Sequence, residues 1–159
     1  MPMPLPLLLL GACAAPTPLI NEIMADNAST VADITGDWAD WIELCNPDAL
    51  PLALGGYALS DTPDDPSLSP LPASWAIPAD GHLLLWATGT ADEDAFSLPF
   101  KISADGETVG LFLEEDGAMV EIDRVTFGPQ DPDTSVARSP DCGDGWVRSE
   151  SPTPSAPNP

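Results

Sequence analysis

Short apolar runs separated by turn residues set the rhythm of this chain. Two of them, Leu19 to Met24 (LINEIM) and Trp41 to Asn46 (WIELCN), enclose a polar, aspartate-rich loop. Further runs follow at Leu52 to Leu54, Tyr57 to Ser60, Trp75 to Ile77, His82 to Ala87, Phe100 to Ser103, Thr108 to Leu113 and Met119 to Phe127. Each is too short for a stable helix and each is bounded by Gly, Pro, Asn or Asp, so the pattern predicts strands joined by turns. Val109, Leu111 and Leu113 alternate with Thr108, Gly110 and Phe112, and Val120, Ile122 and Val125 lie opposite, which predicts one apolar face with period two. The pairs Asp105-Gly106 and Asp116-Gly117 suit tight hairpin turns. Between Ser60 and Ser67 the sequence SDTPDDPS is an acidic, proline-rich loop that neither a helix nor a central strand accepts.

Composition narrows this to one small all-β domain. The chain has 159 residues, 43% of them hydrophobic, with 12 glycines and 20 prolines, and proline is the residue helices tolerate least. Charge then excludes one class of partner. Twenty-six acidic side chains face only Lys101, Arg124, Arg138 and Arg148, for a net charge of −22, and such a field repels a nucleic acid, whose affinity comes from cations placed on phosphates. The acidity reads either as a solvated, self-repelling surface or as a cation-binding one.

The first residues, MPMPLPLLLLGACAAP, have the shape of a secretory signal and are too short to span a bilayer. Leu10, Gly11, Ala12 and Cys13 resemble the lipobox of bacterial lipoproteins, which predicts a signal peptide at 1–12, lipidation of Cys13, a short linker at 13–18 and the domain at 19–159. No Lys or Arg precedes the apolar run, a departure from the usual pattern, and cleavage after Ala14 or Ala15 is the competing reading. Both export the domain. In an oxidising compartment Cys45 and Cys142 are then the remaining pair, candidates for a disulfide, with a buried free Cys45 and an exposed Cys142 as the alternative.

Candidate chemistry is sparse. His82 is the lone histidine and falls inside a strand, which favours packing over catalysis. One histidine and two cysteines at wide spacing do not close a tetrahedral zinc site, and the glycines never form a phosphate loop before a helix. No cofactor is required. Calcium is the one the residues admit, through Asp33, Asp37 and Asp40 in the first loop and Asp61, Asp64 and Asp65 in the second, because calcium takes hard oxygen ligands. Solvated acidic turns account for the same residues. Of five tryptophans, Trp41 and Trp86 suit the core, whereas Trp38 and Trp75 border loops and are candidates for stacking on a sugar face.

The segments NEIMADN and DWIELCNP, then LALGGYALSD, IPADGHLLLWA, FKISADGETVGLF, VTFGPQ and the ending GWVRSESPTPSAPN, follow one another in an order that resembles the lamin tail domain family as secreted bacterial proteins carry it. The resemblance implies an immunoglobulin-like β-sandwich and makes Pro152 to Pro159 part of the domain's end. It also implies an exported, non-catalytic module on the bacterial cell envelope, used for adhesion, assembly or partner binding. The other expectation is an accessory domain of a secreted hydrolase or nuclease system, or a calcium-dependent carbohydrate-binding module. The expected partners are a membrane, through the N-terminal lipid, and a protein or polysaccharide. The expected location is the outer membrane or cell surface, or the secreted fraction.

Overall fold

The computed structural model describes residues 17–65 and 69–159, so the expected signal segment and Cys13 lie outside the described residues. Eleven strands run along them: β1 (Leu19–Met24), β2 (Trp41–Asn46), β3 (Leu52–Ala53), β4 (Tyr57–Ser60), β5 (Ser69–Pro70), β6 (Ala76–Ile77), β7 (Gly81–Trp86), β8 (Glu107–Glu115), β9 (Ala118–Phe127), β10 (Ser135–Arg138) and β11 (Trp146–Ser149). They form a five-stranded sheet in the order β11-β10-β1-β2-β7, a four-stranded sheet in the order β5-β4-β8-β9, and a small β3-β6 ladder, all antiparallel. The fold is all-β and consistent with an immunoglobulin-like sandwich.

The core lies between the two larger sheets. Ile20, Ile23, Ile42, Leu44 and Leu85 from the first meet Leu59, Val109, Leu111, Val125 and Phe127 from the second, and all are buried. Each such side chain contributes about 1.5–3 kcal/mol of burial. One ion pair also ties the sheets. Arg138 on β10 donates through Nη2 to both oxygens of Asp123 on β9, at 2.9 and 2.8 Å, while its Nε bonds the Ile20 carbonyl at 2.6 Å. Its guanidinium carbon lies 4.7 Å from the centroid of the Trp146 ring, so the buried charge has a partner on each side.

Several expectations change on contact with the fold. The run Phe100 to Ser103 is not a strand; Phe100 and Ile102 are buried in an irregular connector. Asp105-Gly106 does turn, with Gly106 N–H donating to the Ser103 carbonyl at 3.0 Å, but no strand precedes it, so it closes no hairpin. A side chain at Gly106 would collide with the Phe127 carbonyl oxygen at 2.6 Å, and φ is +98° there, so glycine is required by both space and conformation. Asp116 and Gly117, at φ of 51° and 81°, do form the two-residue turn between β8 and β9. The alternation in β8 holds; on β9 a bulge at Ile122 shifts the register and sets Val120 opposite Leu113, yet Val120 is exposed near the hairpin's end. In β2 every residue is buried, the outward ones included. Something must cover the outer face of that sheet.

Candidate ligand-binding site

Asn27 builds the β1–β2 loop from its centre. Its buried side chain donates to the carbonyls of Val31 and Ala39, each at 2.7 Å, and accepts from Thr30 N–H at 3.1 Å, so one amide holds both limbs of the loop. Its own N–H donates to Asp40 Oδ1 at 3.0 Å. From the far end of the chain, Asp133 accepts from the N–H groups of Ala28 and Ser29 and from the hydroxyls of Ser29 and Thr30, at 2.6–3.0 Å. These bonds, led by that of the Ser29 hydroxyl, hold the Asp133 carboxyl down at about 2.

The loop's last turn opens a cleft of about 440 Å³, lined by Asp33, Asp37, Trp38, Asp40, Thr88 and Lys101. The structure thus brings together the four loop residues Asp33, Asp37, Trp38 and Asp40 and adds the exposed Lys101 from the far wall. Trp38 is half exposed, with 50% of its surface open at the rim. Burial raises the Asp40 carboxyl, against the pull of Asn27 N–H and the Lys101 charge. Burial also pushes Asp33 upward, but hydrogen bonds from Thr35, Asp37 and Gly36 together outweigh it and lower the carboxyl. The cleft therefore presents carboxylate acceptors, one ammonium donor and an indole face, a set suited to a hydroxylated ligand with an apolar side.

Trp75 does not belong to such a surface, and its assignment as a ligand contact is corrected. Only 3% of it is exposed; its ring packs 5.2 Å from that of Phe96 and its indole N–H donates to the Glu93 carbonyl at 3.0 Å. It borders a cavity of about 280 Å³, yet its one polar atom is already engaged. Trp41 and Trp86 are core residues, as expected, packed with Met24 on the outer side of the first sheet. Neither calcium trio converges. Asp33 turns its oxygen onto its own loop, Asp61 accepts from the Thr62 hydroxyl, Asp64 lies near the Arg124 charge, and the Asp65 carbonyl accepts from Ser60. Among the described residues the one group with metal-ligand spacing is His82, Asp141 and Cys142.

That group belongs to the covered outer face of β1 and β2. A bulge at Asn21 turns its amide onto Glu43 and Asp141, at 3.1 and 2.9 Å, beside the buried Glu22. The C-terminal segment closes over them. Thr153 donates its N–H and hydroxyl to Glu22, Ser155 donates its N–H to Glu43, and the Asn158 amide reaches the Asn21 carbonyl at 3.1 Å. At the edge Cys45 and Cys142 are joined in a disulfide, and His82 Nε2 lies 3.1 Å from both oxygens of Asp141. Sequence reading passed over Glu22 and Glu43, since a glutamate within an apolar strand reads as solvent-facing. The donor-rich ending TPSAPN was the available signal.

The NEIMADN loop, the DWIELCNP strand and the Asp-Gly hairpin are thus parts of one sandwich. The sequence pattern of the Lamin Tail Domain matches residues 12–129. The chain belongs to the lamin tail domain family. As a lamin tail domain it is a stable, non-catalytic β-domain, consistent with a binding module. Neither a curated protein nor a solved structure gave a match. The lamin tail match ends before β10, although β10 pairs directly with β1 and the closing segment seals β1 and β2.

Proposed function

We propose that this lamin tail domain is an exported binding module of the bacterial secreted or lipoprotein type. Cys13 carries its lipid, and the cleft beneath the β1–β2 loop holds its partner on the cell envelope. The observation that carries the reading is the half-exposed Trp38 at the rim of a carboxylate-lined cleft with Lys101 across it. A rigid loop supports it: Asn27 and Asp133 hold the backbone, so little ordering is left for a ligand to impose. Polysaccharide is the partner class that suits an indole face beside hydroxyl acceptors. The net charge of −22 argues against nucleic acid. The apolar run before Cys13 and its small-residue cleavage site support export to the outer membrane or cell surface.

Affinity capture from native envelope with the purified domain tests this, run beside Trp38→Ala. Envelope polysaccharide retained by the parent and lost in a variant with an unchanged circular dichroism spectrum supports the reading. Equal capture by both removes the cleft from it. Mass spectrometry of the mature N-terminus tests the anchor, and an unmodified Ala15 or Pro16 terminus contradicts it.

A further inference from the structure

The spacing of cysteine and histidine in the sequence argues against zinc, but the fold adds Asp141 as a ligand and draws it together with His82 and Cys142, with Cys45 bonded to Cys142 beside them. Cys45 on β2 stands in register with His82 on β7, Cys142 is bonded to Cys45, and Asp141 pairs with His82. The ligand atoms of His82, Asp141 and Cys142 all lie within 4.8 Å of one another. Around a tetrahedral zinc, with bonds of about 2.0–2.3 Å, neighbouring ligand atoms sit roughly 3.3–3.8 Å apart. Here Asp141 Oδ2 is 3.1 Å from His82 Nε2 and 3.9 Å from Cys142 Sγ, within a few tenths of an ångström of those edges.

The surroundings are those of a ligand set held in place. Asp141 Oδ1 accepts from the Asn21 amide and from Asn158 N–H, both at 2.9 Å, which orients Oδ2 toward His82 and Cys142. Cys142 N–H donates to Asn21 Oδ1 at 3.0 Å, fixing the backbone from which the sulfur projects. An open cavity of about 240 Å³, lined by Asn46, Pro47, Asp80, His82, Asp141 and Cys142, connects the group to solvent. The bond between the two sulfurs excludes a metal, because a disulfide sulfur is a poor ligand and a thiolate a strong one.

We propose that Cys45, Cys142, His82 and Asp141 form a zinc-type metal site that is latent in the disulfide state and assembled on reduction. A dithiol reductant supplies two electrons and two protons, cleaving the Cys45–Cys142 bond and closing to its own cyclic disulfide. The divalent metal then displaces the two thiol protons to solvent. It binds both thiolates, one carboxylate oxygen of Asp141, and Nε2 of the neutral His82 ring, whose proton rests on Nδ1. The site is distinct from the cleft at Trp38, and the inference does not depend on where the chain resides.

The test is cobalt(II) titration of the chain after dithiol reduction and anaerobic gel filtration, with zinc(II) competition and near-ultraviolet circular dichroism followed throughout. The expected result is one cobalt per chain, with thiolate charge-transfer bands and the intense visible bands of tetrahedral cobalt, all displaced by zinc and absent from the disulfide form. His82→Ala and Asp141→Ala are each expected to weaken zinc binding about tenfold or more. Absence of the cobalt bands in the reduced chain overturns the proposal. So do bands unchanged in both variants, or equal metal uptake by the urea-unfolded reduced chain. If reduction alone abolishes the near-ultraviolet signal, zinc must restore it, and failure to do so is equally contrary.

Discussion

Glu22 and Glu43 stand in register across β1 and β2, both fully buried, and among the described residues neither makes an ion pair. Two carboxylates side by side without a cation are costly, and hydrogen bonds from Asn21, Ser135, Thr153 and Ser155 offset part of that cost. Burial pushes both upward, Glu43 to about 8, with the charge of Asp141 adding to the push on both and that of Glu22 adding to the push on Glu43. Near neutral pH Glu43 is therefore largely protonated.

Stability should fall as pH rises from about 4.5, the unfolded value of Glu43, through about 8. In that window the folded chain holds a proton that the unfolded chain has released, so the unfolded state binds fewer protons and rising pH favours it. Urea denaturation at mildly acidic and mildly alkaline pH measures the slope. Glu43→Gln, which cannot titrate, should flatten it whatever the variant does to stability at a single pH. An unchanged slope in the variant would place the titrating group elsewhere.

Removing residues 152–159 takes the Thr153 and Ser155 donors from Glu22 and Glu43 and uncovers β2. The two bonds to Glu22 contribute about 1.5–3 kcal/mol each and the one to the protonated Glu43 about 1 kcal/mol, so a loss of about 4–7 kcal/mol is expected. Thr153→Val, which deletes only the hydroxyl's contacts with Glu22 and Asn158, should cost about 1.5–3 kcal/mol. Denaturant midpoints for the two variants check both the size and the order.

Asp133 should govern the β1–β2 loop without governing the fold. Its carboxyl is held at about 2 in the folded chain, below its ordinary 3.8, so its contribution is complete above 3.8 and lost as pH falls toward 2. Asp133→Ala should abolish hydrogen-exchange protection at the Ala28 and Ser29 amides while leaving that of the β1 and β2 core amides intact. Loss of protection in those strands as well would contradict the local role.

The Cys45–Cys142 bond spans 97 residues of sequence, and in the chain-entropy description such a crosslink contributes on the order of 4 kcal/mol. Cys45→Ala with Cys142→Ala should lower stability by that amount, measurable as a reduced urea midpoint. Calcium should do nothing comparable. With neither aspartate trio convergent, millimolar calcium and chelator are expected to give the same thermal midpoint.

Where one face of a strand is apolar and the other wet, the sequence was readable. The bounds read for β1 and β2 coincide with the observed strands, and the β8–β9 hairpin falls where alternation and Asp-Gly placed it. β10 was not legible, since SVAR carries no alternation and its partner Glu22 lies more than a hundred residues away. β5 sits at the end of a proline-rich loop and is defined only by its ladder with β4. Phe100 to Ser103 misled because burial of Phe100 and Ile102 mimics a strand where no partner strand exists. At the candidate site, the crowding of Asp33, Asp37, Trp38 and Asp40 was visible in sequence, whereas Lys101 reached the same cleft only through the fold. Trp75 bordered a loop in sequence, but the packing of Phe96 and the Glu93 carbonyl drew it inside.

The central claim is that this lamin tail domain binds through the cleft beneath its β1–β2 loop. Titrating the isotope-labelled domain with purified envelope polysaccharide, and following amide and indole resonances, tests it most directly. The account expects saturable shifts at the Trp38 indole, at Asp37 and Asp40 and at Lys101, all lost in Trp38→Ala. Shifts confined to other surfaces, or unchanged in that variant, would contradict it.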